Sequence, residues 1–220
     1  MTIVIKRSIL DKLPDFDICA MSMDVTYQET SDEILNLINQ IETKINGEYS
    51  LEDILNIPLI KEARDGYKKL GKDPSRYRLA CESLLRRIVK GNHLYIINNL
   101  VDIGNILSID CFRSTAILDY EKIQGDIQIR LGLSSDIYEG IGRGIINVEN
   151  IPVYEDSISP FGSTTSDTLR TSVTSSTKKI LLFIVCFGPS NKERDKAQAI
   201  NLFTKYCNAK NIEEIEVIKE

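Results

Sequence analysis

Histidine is almost absent: His93 is the only one in 220 residues. Triads built on serine or cysteine need an imidazole beside the nucleophile, and nothing in the sequence places His93 next to one. His93 lies in a link between two predicted helices. General-base chemistry would suit its side chain, but a structural role suits a lone histidine better. The five cysteines, Cys19, Cys81, Cys111, Cys186 and Cys207, form no C-x-x-C pair, are odd in number and each sit in an apolar surrounding. That argues against a disulfide framework and against zinc, and for buried free thiols in a reducing compartment. No metal or other cofactor is expected. No apolar run approaches the ~18 residues of a membrane span, and MTIVIKRSIL is too short an apolar start for a signal peptide. A cytoplasmic protein with no membrane partner is expected. The G-x-x-x-x-G-K-[ST] spacing of a nucleotide loop is missing, as are repeats and low-complexity linkers.

What is present is ordinary for a globular protein: 42% hydrophobic and 27% charged residues. The length fits one domain over residues 1–220, large enough to bury its core without metals or disulfides. The formal net charge of −5 argues weakly against a dedicated nucleic-acid binder. That average hides an asymmetry. Between Lys61 and Lys90 stand ten basic and four acidic residues, a local net of +6. Lys68, Lys69, Lys72, Arg76, Arg78, Arg87 and Lys90 from this window are candidates for RNA phosphate contacts. A solvated helix surface would carry the same charges.

Strand-like and helix-like patterns alternate along the chain, which predicts a mixed α and β protein. Thr2 to Ile5 reads as an edge strand and Phe16 to Val25 as a buried one. Thr30 to Ile45 reads as a helix, with Thr30 and Glu33 as its capping box and Gly47 as its stop. Ile57 to Leu70 reads as a helix opened by Pro58 and closed by Gly71. Asp73 with Pro74 is expected to open a helix to about Lys90, with Tyr77, Cys81, Leu84, Leu85 and Ile88 inward and Gly91 after it. Asn98 or Asn99 caps the next helix, to about Ile109. Period-two patterning predicts strands at Asp126 to Leu131 and Ile151 to Glu155, with turns at Gly140, Gly142 and Gly144. Ser157 to Ser176 reads as a long Ser/Thr/Gly loop, and Lys179 to Phe187 as a central strand buried on both faces. Ser190 with Glu193 reads as a second capping box, opening a helix to about Cys207. Glu214 to Lys219 reads as a closing strand.

The chain's organising stretch is Asp73 to Asn105, which holds the basic helix, His93 and an amide-rich helix. In the latter, Asn98, Asp102 and Asn105 fall at spacings of four and three on one face. They fit a polar pocket wall, or a helix cap with buried polar groups bonded to loop backbone. Glu82 and Arg86 form an i, i+4 pair that could border such a pocket or serve as a structural ion pair. Ser163, Thr164 and Arg170 in the Ser/Thr/Gly loop offer hydroxyls and a guanidinium for a ligand carboxylate or phosphate.

The segment Asn98-Asn99-Leu100-Val101-Asp102-Ile103-Gly104-Asn105 resembles the N-x-V-D-x-x-N signature of the B3/B4 domain of the phenylalanyl-tRNA synthetase beta chain. Ile123-Gln124-Gly125-Asp126-Ile127 looks like that family's I-x-G-x-I strand opening. Gly162 through Leu182 looks like its Gly/Ser loop, a Val-x3-Thr step (Val173, Thr177) and an apolar strand. Ser83-Leu84-Leu85-Arg86-Arg87 is similar to free-standing bacterial members. The resemblance covers roughly residues 74–189, leaving residues 1–56 as an N-terminal extension, and nothing resembles the synthetase's anticodon-binding, tRNA-arm or catalytic modules. It implies an α+β fold of layered mixed sheets flanked by helices, an amino-acid-sized pocket, and an editing activity that hydrolyses tyrosine wrongly attached to phenylalanine tRNA. The implied partners are tRNA or aminoacyl-tRNA, and an amino-acid-like ligand. Two departures stand out. The family has a histidine where this chain has Ser114 to Leu118, and a glutamate where it has Phe183. Tyrosine editing is therefore not expected. Hydrolysis of another misacylated tRNA in trans remains, and so does a non-catalytic RNA- or small-molecule-binding module that lost the editing residues.

Overall fold

The computed structural model describes residues 1–189 and 192–220. Along the chain run β1 (Ile3–Ile5), α1 (Arg7–Leu10), β2 (Asp17–Asp24), α2 (Asp32–Glu48), α3 (Asp53–Asn56), α4 (Pro58–Leu70), α5 (Ala80–Val89) and α6 (Asn99–Cys111). The second half holds β3 (Thr115–Asp119), β4 (Ile127–Leu131), β5 (Glu139–Gly140), β6 (Gly144–Ile145), β7 (Pro152–Glu155), β8 (Pro160–Ser163), β9 (Lys179–Cys186), α7 (Glu193–Cys207), β10 (Lys210–Ile215) and β11 (Val217–Lys219). This is a mixed α+β architecture, as the patterning predicts.

Three layers stack. A four-stranded antiparallel sheet of order β10-β2-β9-β3 occupies the middle. A five-stranded mixed sheet of order β11-β1-β4-β7-β8 covers one of its faces. Helices α2, α5, α6 and α7 cover the other. Because side chains alternate across a strand, β9 serves both interfaces. Ile180, Leu182, Ile184 and Cys186 pack under the helices. Leu181, Phe183 and Val185 pack between the sheets. A strand buried on both faces reads as a continuous apolar run, which is why Lys179 to Phe187 is so legible.

Several sequence expectations are corrected. β1 is not an edge strand: it lies between β11 and β4, parallel to both, with Ile3 and Ile5 fully buried. Glu214 to Lys219 is not one strand. β10 pairs with β2 in the middle sheet, while β11 pairs with β1 in the outer one, so the chain end crosses between layers at Glu216. The Ser157–Ser176 stretch is not loop throughout, since it contains β8 and a 3-10 turn at Leu169–Thr171. The segment before residue 57 supplies β2, which pairs with β9 over its full length.

Helix boundaries follow local chemistry where a side chain is free to supply it. Pro58 opens α4, and Gly71 closes it in the left-handed region at φ 94°. Asn98 caps α6 by accepting a hydrogen bond from the Val101 N–H at 3.0 Å. Elsewhere the expected cap is used differently. Ser31, not Thr30, caps α2, and Gly47 lies inside that helix. Thr30 instead donates its hydroxyl to Asp102. Asp73 folds a tight turn by accepting from the Ser75 N–H and hydroxyl, so α5 begins only at Ala80 and Tyr77 precedes it. The expected capping box at Ser190 falls at residues 190–191, outside the described residues. All five cysteines are buried and free.

Candidate functional site

The most ligand-like concavity lies against the open edge of the middle sheet. Strand β3 is that edge, and α6 lies over its helix-side face. The close approach depends on Gly104, where a Cβ would stand 2.4 Å from Ile117 Cγ1. The carbonyl of Gly104 also accepts the Thr115 hydroxyl at 3.0 Å. Beyond the edge, the chain after β8 folds back, with Ser172 bridging to Leu118. Between these elements opens a cleft of about 320 Å³. Asn98, Val101, Gly104 and Asn105 wall it from α6; Thr115 and Ile117 form its floor; Ile141, Asp167, Leu169, Ser172 and Val173 close the far side. An aliphatic cleft with a few convergent polar groups is the usual form of a small-ligand site. Ile97, Ile141 and Leu169 at its mouth are exposed.

Of the predicted ligand residues, Asn98 and Asn105 line this cleft. The others are engaged elsewhere. Asp102 is buried and accepts from the Thr30 hydroxyl at 2.5 Å and from the Ile97 N–H at 3.1 Å. Burial raises its carboxyl pKa, and those hydrogen bonds partly offset the rise. Glu82 is fully buried and receives one Arg64 guanidinium nitrogen on both oxygens, at 2.9 and 2.8 Å. Ser163 and Thr164 hold the fold of their own loop: Ser163 donates to the Ser166 carbonyl, and Thr164 bonds the buried Tyr67 hydroxyl. Arg170 clasps Asp156 through two nitrogens, at 3.1 and 2.8 Å, and also reaches the Lys122 and Ser159 carbonyls. Its guanidinium staples the loop, with Nε buried and without a hydrogen-bond partner. His93 meets Glu42 through Nδ1 at 2.7 Å and is not among the residues lining the cleft. Sequence reasoning missed Thr115, Ile117, Ile141 and Asp167. The alternation of β3 carried the signal for the first two; the others lie on segments with no periodic pattern.

A second concavity of about 390 Å³ lies beside the first. Arg76, Arg78, Arg86, Arg87, Lys90 and Arg143 line it with Ser83 and Asn92, and among the described residues no carboxylate does. Arg86 lines this trough, not the α6 cleft, and keeps the expected i, i+4 ion pair with Glu82 at 3.8 Å. Arg87 is fixed by donating Nε to the His93 carbonyl and by lying 3.8 Å from the centroid of the Tyr95 ring. Tyr95 itself is 64% exposed, leaving an aromatic face at the rim. Three predicted phosphate contacts fall outside, two of them on α4. Lys72 is buried, donates to the Asn147 and Glu149 carbonyls, and sits over the Tyr77 ring. Lys68 pairs with Asp65 on α4, and Lys69 is exposed on the same helix without lining the concavity.

The β5–β6 hairpin joins the two concavities. Ile141 in its turn lines the cleft, and Arg143, two residues on, lines the cationic trough. Among the described residues no cluster of three or more His, Cys, Asp or Glu could hold a metal, and no helix is long and apolar enough to cross a membrane.

These features define a layered α+β domain carrying a small-ligand cleft at the edge of its antiparallel sheet. The chain belongs to the B3/4 domain family, whose model matches residues 62–214 and so takes in both concavities. The fold is similar to the crystal structure of an N-terminal fragment of the phenylalanyl-tRNA synthetase beta-subunit from Pyrococcus horikoshii, with a TM-score of 0.53 and 11% identity. That likeness covers 100% of this chain and 52% of the fragment, so the chain spans about half the fragment's length. A sequence comparison with curated proteins finds no significant match.

Proposed function

We propose that this chain binds the aminoacylated end of a tRNA and hydrolyses the ester in trans. The observation that carries the reading is the adjacency across the hairpin turn. Ile141 faces an amino-acid-sized cleft and Arg143 faces a trough lined by six cations. An aminoacylated RNA end presents those two chemistries together, a small side chain and amine beside a run of phosphates. The exposed Tyr95 ring adds a stacking surface at the trough's rim. Family membership supports a tRNA-related role.

Hydrolysis asks little of the protein. Water attacks the ester carbonyl, the acyl–oxygen bond breaks, and the proton lost by the water ends on the departing ribose oxygen. In this reading Asn98, Asn105 and Thr115, which line the cleft, orient that water. The test is deacylation of a panel of misacylated tRNAs by the full chain. Release faster than spontaneous hydrolysis for at least one member supports the reaction, and spontaneous rates throughout remove it.

A non-catalytic binding module is the second reading. It is favoured by the lack of a histidine, lysine or cysteine among the cleft's described lining residues. It predicts that aminoacyl-tRNA binds with its ester protected.

A further inference from the structure

Asp167 is the one charged residue among the described residues lining the α6 cleft, and none of those residues neutralises it. Its Oδ1 is buried and has no hydrogen-bond partner. Buried carboxylate oxygens are almost always paired, so an unpaired one calls for a reason. The backbone makes deliberate room for it. A Cβ on Gly162 would stand 2.9 Å from Asp167 Oδ1 and 2.6 Å from Tyr154 Cδ2, so only glycine lets the carboxyl seat there.

The groups facing Asp167 are all uncharged. Tyr154 presents its ring from β7, and Tyr138 lies close before β5 with its hydroxyl turned to the Ser166 carbonyl. The Ser163 N–H is the one group that favours the ionised form. Among the described residues no lysine, arginine or histidine forms an ion pair with it. Across the cleft stand the amide of Asn105, the hydroxyl of Thr115 and aliphatic side chains, and Ser172 lies on Asp167's own side. A carboxyl that lines a ligand-sized cleft, with its buried Oδ1 set against Gly162 and Tyr154 and no counter-charge of its own, suits a cation that arrives with the ligand.

We infer that Asp167 is the receptor for the α-ammonium group of the ligand, so that the cleft selects primary amines carrying a small or aliphatic side chain. This rests on the reading of the cleft as an aminoacyl site, and it narrows that reading to acyl groups with a free amine. N-blocked acyl groups are excluded, because they leave the carboxyl buried and unpaired. Burial holds the Asp167 pKa up at about 7, and a bound ammonium would draw it back toward the usual carboxylate range.

The experiment is calorimetric titration of the full chain at pH 7 with L-leucinamide, L-valinamide and L-phenylalaninamide, each beside the same amide lacking its amino group. At least one amine is expected to bind about tenfold or more tighter than its des-amino counterpart, the ratio of a charge-assisted hydrogen bond. In Asp167→Asn, a near-isosteric variant whose folding is checked by circular dichroism, that ratio collapses toward one. In Asp167→Glu it recovers in part. Equal binding of amine and des-amino forms to the wild type, a ratio unchanged in Asp167→Asn, or no binding of any amine at millimolar concentration would overturn the assignment. Amine selectivity without any preference for aminoacyl-tRNA over bare tRNA would leave this receptor standing and remove the tRNA reading instead.

Discussion

Ala116 on β3 and Phe183 on β9 are direct cross-strand partners, and both side chains point into the core between the two sheets. By the sequence resemblance, the family's histidine falls within Ser114 to Leu118, the stretch centred on Ala116, and its glutamate at Phe183. Phe183 packs edge-on against Tyr154, with ring centroids 5.1 Å apart. The cleft opens on the opposite face, over Thr115 and Ile117. A period of two makes one residue's difference in alignment a change of face.

Restoring the family's polar pair is therefore expected to damage the fold without building a site. Phe183→Glu removes an aromatic packing partner and buries a carboxyl with no counter-charge. The expected loss is about 3 kcal/mol or more in urea unfolding. Ile117→Glu places its carboxylate in the cleft, and should leave stability far closer to wild type while altering ligand selectivity.

Gly104 is expected to be intolerant of even one methyl group. Gly104→Ala drives a Cβ into Ile117, whose Cγ1 lies 2.4 Å from where that atom would stand. Overpacking of this kind costs about 1–3 kcal/mol. Ile117→Ala should relieve it, and a double-mutant cycle in urea should show coupling of about 1 kcal/mol or more. Additive effects would mean that helix and strand do not meet as described.

The ion pair of Glu82 with Arg64 is expected to be structural. Glu82→Gln leaves the Arg64 guanidinium short of its buried counter-charge and should cost about 3 kcal/mol. Because Glu82 also stands 3.8 Å from Arg86 of the trough, RNA affinity below the unfolding temperature should hold or rise slightly in that variant, not fall. A loss of RNA affinity with stability intact would move Glu82 into the binding surface.

Stability against pH carries a signature of Asp167. Its pKa is about 7 in the folded chain, against about 3.9 for an unfolded aspartate. Between about pH 4 and pH 7 the folded state therefore holds a proton that the unfolded state has released. Stability should fall as pH rises through that window and level off above it. Asp102 and Glu62, also raised by burial, act in the same direction, so the difference between wild type and Asp167→Asn isolates the effect. The variant should gain stability on the wild type as pH rises from 4 to 8, read from denaturant midpoints. A gap that stays constant with pH would contradict the raised pKa.

Elements whose boundaries are set by local chemistry are legible in the chain: α4 between Pro58 and Gly71, α6 from its Asn98 cap, and β9 from its unbroken apolar run. Elements whose partners lie far off in sequence are not. Nothing local tells Thr30 to bond Asp102 across 72 positions, or the chain end to split at Glu216 between two sheets. The site divides along the same line. Asn98 and Asn105 are visible through helical spacing, and the trough's arginines through charge density. The amide-rich face conceals that Asp102 turns to Thr30, and the Ser/Thr/Gly loop conceals that Arg170 turns to Asp156. Asp167 has no pattern to mark it, because its meaning lies in the counter-charge that no other described segment brings.

The central claim is that cleft and trough serve one ligand, an aminoacylated RNA end. The most direct measurement compares the affinities of the full chain for bare tRNA and for tRNA carrying an amide-linked, non-hydrolysable aminoacyl group, across a salt series. Tighter binding of the charged form is expected. The salt slope should also fall by about 2 to 3 in the triple variant Arg76→Ala, Arg78→Ala, Arg143→Ala, at roughly 0.7–0.9 for each phosphate no longer neutralised. Equal affinity for charged and bare tRNA, or a slope unmoved by the three substitutions, would contradict it.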